Sequence, residues 1–192
     1  MERIFTILFL SIVLFLYSCR QNSGVPFNLD FERVKAGQTL PDRWTRWGDN
    51  DYRLATDAEV KEHGKYSVMI TSAIVMPKNR SAGLITAIPV RVKSGEIRLE
   101  GYIKTEAISN GFAGLVLQTD QVDKILDYRD MHEQHLDGTN DWKKYSVTAP
   151  CHPGITEIYV GGTLSGTGKA WFDSFIVLIN DVSIGNSVPG NN

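Results

Sequence analysis

Between residues 96 and 105 apolar and polar side chains alternate: Ile97, Leu99, Gly101 and Ile103 share one parity, and Arg98, Glu100, Tyr102 and Lys104 the other. A period of two places these sets on opposite faces of a β-strand, one buried and one wet. The same pattern predicts strands through Tyr66, Val68 and Ile70, through Ala113, Leu115 and Leu117, through Tyr145 and Val147, and through Ile158 and Val160. Residues 171–179 are largely apolar on both parities, as in a central strand covered on both faces. Turn chemistry separates the runs. His63-Gly64-Lys65, Lys93-Ser94-Gly95, Ser109-Asn110-Gly111, Asp137-Gly138-Thr139-Asn140 and Ser165-Gly166-Thr167-Gly168 each supply Gly or Asn where a reversing chain needs positive φ. Many short strands with almost no helical periodicity predict an all-β protein, an antiparallel β-sandwich spanning residues 26–181. Residues 122–134 lack the period and are expected to be irregular or weakly helical, and residues 182–192 are expected to form a disordered tail or linker.

The N-terminus has a different pattern. An apolar run from Ile4 to Leu16, interrupted only by Thr6 and Ser11, is shorter than the roughly 20 residues a spanning helix requires and has the length of a signal-peptide core. Leu16-Tyr17-Ser18-Cys19 follows directly and resembles the lipobox of bacterial lipoproteins, with Tyr17 its one atypical position. That resemblance implies a signal peptide over residues 1–18, an acylated Cys19, a tether over residues 19–25, and a cell-envelope protein anchored to the outer membrane through lipid. The periplasmic and surface orientations both stay open, because Arg20-Gln21-Asn22-Ser23 carries no acidic cluster.

Without Arg3 and Glu2, the chain's 20 basic and 22 acidic side chains become 19 and 21, a nearly neutral single domain. No basic stripe is available to neutralise phosphates, which argues against nucleic acid as a partner. If Cys19 carries lipid, Cys151 has no disulfide partner and reads as a small buried hydrophobe.

Five segments then occur in order: Asn28-Leu29-Asp30-Phe31-Glu32, Leu40-Pro41-Asp42-Arg43-Trp44, Gly64-Lys65-Tyr66-Ser67, residues 138–145, and Gly168-Lys169-Ala170-Trp171-Phe172-Asp173. Together they resemble a galactose-binding-like jelly roll of the carbohydrate-binding-module type. Gly101-Tyr102-Ile103-Lys104-Thr105-Glu106 followed by Gly111-Phe112-Ala113-Gly114-Leu115 is similar to a sandwich domain preceding erythromycin-esterase-like and tail-specific-protease-like enzymes in Bacteroidetes. The resemblance implies an accessory domain without catalytic residues of its own. It also implies a structural calcium between the first and last strands, with Glu32 and Asp173 as carboxylate ligands and main-chain carbonyls near Asn28 and Lys65 as co-ligands, a donor set suited to a hard cation. The family often has two consecutive acids where this chain has Asp173-Ser174. The alternative is that Glu32 binds backbone amides and Asp173 caps a turn without an ion.

Trp44, Trp142 and Trp171 fall in the framework segments and are expected in the core. Trp47, Tyr52, Tyr102 and Tyr128, together with Arg98, Glu100 and Gln118, are expected on a concave wet face that binds a glycan or glycopeptide. No Gly-x-Ser-x-Gly, His-Glu-x-x-His, phosphate-loop or Cys-x-x-Cys pattern is present, so no enzyme activity is expected. His132-Glu133-Gln134-His135 is the sole metal-like cluster and lacks a recognisable third ligand. The reading is therefore a membrane-anchored, sugar-binding sandwich. The alternatives are a structural or protein-interaction module and the N-terminal accessory part of a larger hydrolase.

Overall fold

The structure is a computed structural model and describes residues 27–72, 74–77, 79–122 and 124–185. Among the described residues eleven strands form: β1 (Thr45–Gly48), β2 (Tyr52–Asp57), β3 (Ser67–Ser72), β4 (Ser81–Pro89), β5 (Glu96–Ser109), β6 (Ala113–Gln121), β7 (Lys124–Asp130), β8 (Gly138–Pro150), β9 (Glu157–Ser165), β10 (Thr167–Ile179) and β11 (Val182–Ile184). They make two antiparallel sheets, β1-β4-β9-β6-β7 and β2-β3-β10-β5-β8, with β11 added beside β10. The predicted antiparallel β-sandwich is thus the fold observed.

Alternation builds the interface between the sheets. Ile97, Leu99 and Ile103 of β5, Leu115 and Leu117 of β6, Val160 and Leu164 of β9, and Phe172, Phe175 and Val177 of β10 all lie in one buried cluster. Each such side chain contributes on the order of 1.5–3 kcal/mol by leaving water. Two inward glycines make room for the rings: a Cβ on Gly162 would stand 2.5 Å from Phe172, and one on Gly101 2.4 Å from Phe175. Phe175 continues into an aromatic stack with Phe31 and Trp44, at centroid distances of 5.2 and 5.7 Å. The Trp44 indole donates to the Asn28 carbonyl at 2.9 Å, which pins the N-terminal loop over that end of the core.

Four expectations need correction. Residues 124–130 form the edge strand β7, paired with β6 from Val116↔Asp130 to Gln121↔Lys124, and the short 3-10 turn His132–Gln134 follows it. An edge strand needs no inward apolar parity to pair, and for this reason the period was invisible. The domain runs past residue 181, since β11 pairs with Val177, Leu178 and Ile179 and the Phe27 amide donates to the Gly185 carbonyl. Trp142, on the edge strand β8, is half-buried and not core. Trp171 is buried, but outside the inter-sheet cluster: it stands on the outward side of β10 with its indole donating to Asp57 at 2.8 Å. Cys151 is a free, buried thiol pushed above its ordinary value first by burial and then by the Glu96 charge. Among the described residues no helix is long and apolar enough to cross a membrane, and Cys19 and the signal segment lie outside those residues.

Candidate functional site

The outer face of the β1-β4-β9-β6-β7 sheet carries three cross-strand rows. Ala87, Tyr159, Gln118 and Tyr128 form one row. Thr45, Ile85, Gly161, Val116 and Asp130 form the next, and Trp47, Gly83, Thr163 and Gly114 the third. Gly83, Gly114 and Gly161 keep parts of the second and third rows low, while Ile85, Val116, Gln118 and Tyr159 fill the middle of the first two. Trp47 lies directly against β4, since a Cβ on Gly83 would come within 2.4 Å of its indole nitrogen. Trp47 and Tyr128 sit on opposite edge strands, roughly 19 Å apart across four interstrand steps if the sheet were flat. Both nevertheless line one cavity of about 310 Å³ with Ile85, Val116, Gln118 and Tyr159. The sheet therefore curls, and its outer face is concave.

The groove widens toward the turn connecting β9 to β10 into a space of about 640 Å³, which Trp47 and Tyr128 still border. Loops supply polar groups here: Asn79 and Ser81, Asn110, and the β7–β8 connection with Asp130, His132, His135 and Asp137. Asp130 organises that connection, accepting from the His132 main-chain N–H at 3.1 Å and standing 2.8 Å from its Nδ1. Phe112 is held at the wall by its N–H, which donates to Ser165 Oγ at 2.9 Å. Burial, reinforced by the Asp130 charge, raises the Tyr128 phenol above its ordinary pKa and keeps it a neutral donor. At the other end the Tyr159 hydroxyl donates to Glu157 at 2.7 Å and Gln118 donates to Asp120 at 2.9 Å. The result is an apolar floor between two aromatic walls, ringed by oxygen acceptors.

The structure splits the seven residues expected to share one face. Trp47, Gln118 and Tyr128 come together in the groove. Arg98, Glu100 and Tyr102 stand on the outer face of the other sheet, across the sandwich from it. There they satisfy one another and their neighbours: Arg98 bridges Glu100 at 3.1 Å and Asp181 at 2.7 Å, Glu100 also pairs with Lys144, and Tyr102 meets His63 edge-on at 5.4 Å. The Lys144 hydrogen bond is the main reason Glu100 lies below the usual carboxylate range. Tyr52 is no ligand contact at all. It is 1% exposed, and its hydroxyl lies 2.8 Å from the Arg80 carbonyl and 2.7 Å from that of Gly166. Parity within a strand tells wet from dry, but not which of two sheets the wet side belongs to. Tyr159, Ile85 and Phe112 are not among the expected contacts, although Tyr159 occupies the wet position between Ile158 and Val160 and is legible on that ground.

The expected calcium ligands are turned toward N–H groups. Glu32 accepts from the amides of Lys65 at 2.8 Å and Tyr66 at 3.2 Å. Fully buried Asp173 accepts from Glu62 at 2.8 Å and His63 at 3.0 Å. Burial nonetheless raises its pKa against those donors. The Asn28 carbonyl receives the Phe31 amide and the Trp44 indole, while its side-chain oxygen takes the Arg33 amide. Donor hydrogens thus take most of the lone pairs a cation would use on Glu32, Asp173 and Asn28. They pin residues 62–66 over β10 instead. Among the described residues no three His, Cys, Asp or Glu side chains group as a metal set.

No family model matches the chain, and no curated protein matches it. Solved structures of similar fold include the enzymatically active domain of tailspike protein 4 from bacteriophage CBA120, with 15% identity and a TM-score of 0.56 over 82% of this chain and 21% of that one. Another is the Clostridium thermocellum endo-1,4-β-D-xylanase 10B fragment holding a family 22 carbohydrate-binding module and a family 10 hydrolase module, complexed with xylohexaose. It shows 13% identity and a TM-score of 0.51 over 79% of this chain and 27% of that one. A third comes from work on promiscuous carbohydrate-binding modules of the β-sandwich superfamily, with 14% identity and a TM-score of 0.51 over 71% and 57% of the two chains. This chain spans about a fifth of the tailspike chain and less than two thirds of each of the others. At these identities the likeness is one of fold, and the sandwich is of the kind found in carbohydrate-binding modules.

Proposed function

We propose that the protein binds carbohydrate in the concave groove of the β1-β4-β9-β6-β7 sheet, without turnover, and is held in the cell envelope by lipid on Cys19. One observation carries the binding reading: Trp47 and Tyr128, at opposite edges of the sheet, border the same groove over a floor that includes Ile85 and Val116. Sugar rings offer apolar C–H faces that pack on aromatic planes, and hydroxyls that donate to carboxylate and amide oxygens. The groove supplies both. It is open and shallow, so association must overcome its entropic cost with few contacts, and affinity on the order of micromolar to millimolar is expected. The xylohexaose-bound neighbour shares the sandwich and lends support at the level of fold.

A glycan array followed by calorimetric titration tests the reading. Trp47→Ala and Tyr128→Ala are expected to weaken the best ligand at least about tenfold, whereas Tyr102→Ala, on the far face, leaves affinity unchanged. Loss of binding in the Tyr102 variant alone would move the site to the other sheet. Chromatography of the glycan after prolonged incubation checks that it stays intact.

A further inference from the structure

The charge around the groove narrows what it accepts. Carboxylates stand at both ends: Glu157 and Asp120 beside Tyr159 and Gln118, and Asp130 and Asp137 in the β7–β8 connection. Among the described residues neither Lys nor Arg lines either cavity of the groove. The guanidinium groups of flanking residues are engaged elsewhere: Arg129 pairs with Asp127 at 2.8 Å, and Arg80 with Asp49 at 2.7 Å. Glu157, Asp120 and Asp130 are each hydrogen-bonded by a neighbouring side chain and keep further lone pairs to accept with. Among the described residues Asp137 has no ion-pair partner, and its side chain is exposed at the groove's mouth.

We infer that the groove, if it binds glycan as proposed above, selects uncharged chains and rejects those bearing uronate or sulfate. A ligand that offers donors can satisfy the carboxylates at both ends, and sugar hydroxyls do so. A carboxylate or sulfate has no hydrogen to give and meets like charge on both flanks, which costs affinity and has no offsetting cation within the groove. The aromatic walls hold the apolar faces of the rings whatever the charge. Selection therefore rests on the acidic rim, and it should respond to salt, because exposed charges are screened beyond roughly 10 Å at 0.1 M ionic strength.

Polymers that share a backbone and differ in charge test the inference on the purified full-length protein: highly methyl-esterified polygalacturonate against free polygalacturonate, and hydroxyethyl cellulose against carboxymethyl cellulose, by affinity electrophoresis at low and high salt. The expected result is retardation by a neutral member, at least about tenfold weaker retardation by its acidic partner at low salt, and a gap that narrows at high salt. Asp137→Asn should narrow the low-salt gap as well. An acidic member that binds as tightly as its neutral partner at low salt overturns the inference while leaving carbohydrate binding intact. So does a gap that neither salt nor Asp137→Asn moves, because the selection would then not be electrostatic. Failure of every polymer and of the glycan array removes the binding reading itself.

Discussion

Replacing Tyr52 by Phe removes a single oxygen from the meeting point of β2, the start of β4 and the turn between β9 and β10. The hydroxyl stands 2.8 Å from the Arg80 carbonyl and 2.7 Å from the Gly166 carbonyl, in a side chain only 1% exposed. One hydrogen serves two acceptors; the variant loses it, and while the Arg80 carbonyl keeps the Gly166 amide at 3.1 Å, the buried Gly166 carbonyl loses its Tyr52 donor, at a cost of about 1–2 kcal/mol. For a domain of this size that corresponds to a fall of about 2–8 °C in melting temperature. Burial also pushes the Tyr52 phenol up to about 12. An unfolded tyrosine ionises near 10, so unfolding releases a proton once the pH exceeds that value. The stabilisation is fully present below pH 10 and is lost as pH rises toward 12, amounting to roughly 2–3 kcal/mol across that window. Urea melts at pH 7, 10 and 11.5 follow both effects. The native protein should lose stability with alkali more steeply than Tyr52→Phe, and glycan affinity at pH 7 should be the same for both. Equal melting temperatures and equal alkaline slopes would refute the junction, and a selective loss of glycan binding would return Tyr52 to the site.

Further tests follow from individual contacts. Gly83→Ala places a Cβ 2.4 Å from the Trp47 indole nitrogen and 2.5 Å from the Gly162 carbonyl; a loss of about 1–3 kcal/mol together with weakened glycan binding is expected, and a neutral effect on both would show that Trp47 is not seated on β4. A chelator should leave the melting temperature unchanged, because amides fill the Glu32 and Asp173 oxygens; a fall restored by calcium would overturn that geometry. Asp173, raised by burial, contributes stability that is present below its unfolded pKa and lost as pH rises through its folded one, so acidification from pH 7 to 4 should favour the native protein relative to Asp173→Asn in paired denaturation curves. Cys19→Ser should abolish incorporation of labelled palmitate and shift the protein from the membrane fraction to the soluble one; continued labelling would remove the lipoprotein proposal.

The sequence alone determined the class of fold. A period of two is a local property, imposed by the pleat on every strand with one dry face, and β5, β6 and β9 carry it openly through Ile97 to Ile103, Leu115 and Leu117, and Ile158 and Val160. Alternation also marked Gln118 as wet, whereas Trp47 and Tyr128 were read as exposed from their loop-like surroundings and Cys151 as buried from its lack of a disulfide partner. Tertiary structure alone decided which wet positions meet. Tyr102 and Gln118 have the same local signature, yet β5 and β6 enter different sheets, so one side chain packs on His63 and the other lines the groove. Tyr52 looks like a loop aromatic until the carbonyls of Arg80 and Gly166, 28 and 114 residues away, close over its hydroxyl. Glu32 and Asp173 have cation-binding chemistry in isolation, and only the folded turn at residues 62–66 turns amide hydrogens toward them. Strand pairing and sheet curvature arise between segments far apart in the chain, and no local pattern of apolar and polar residues encodes them.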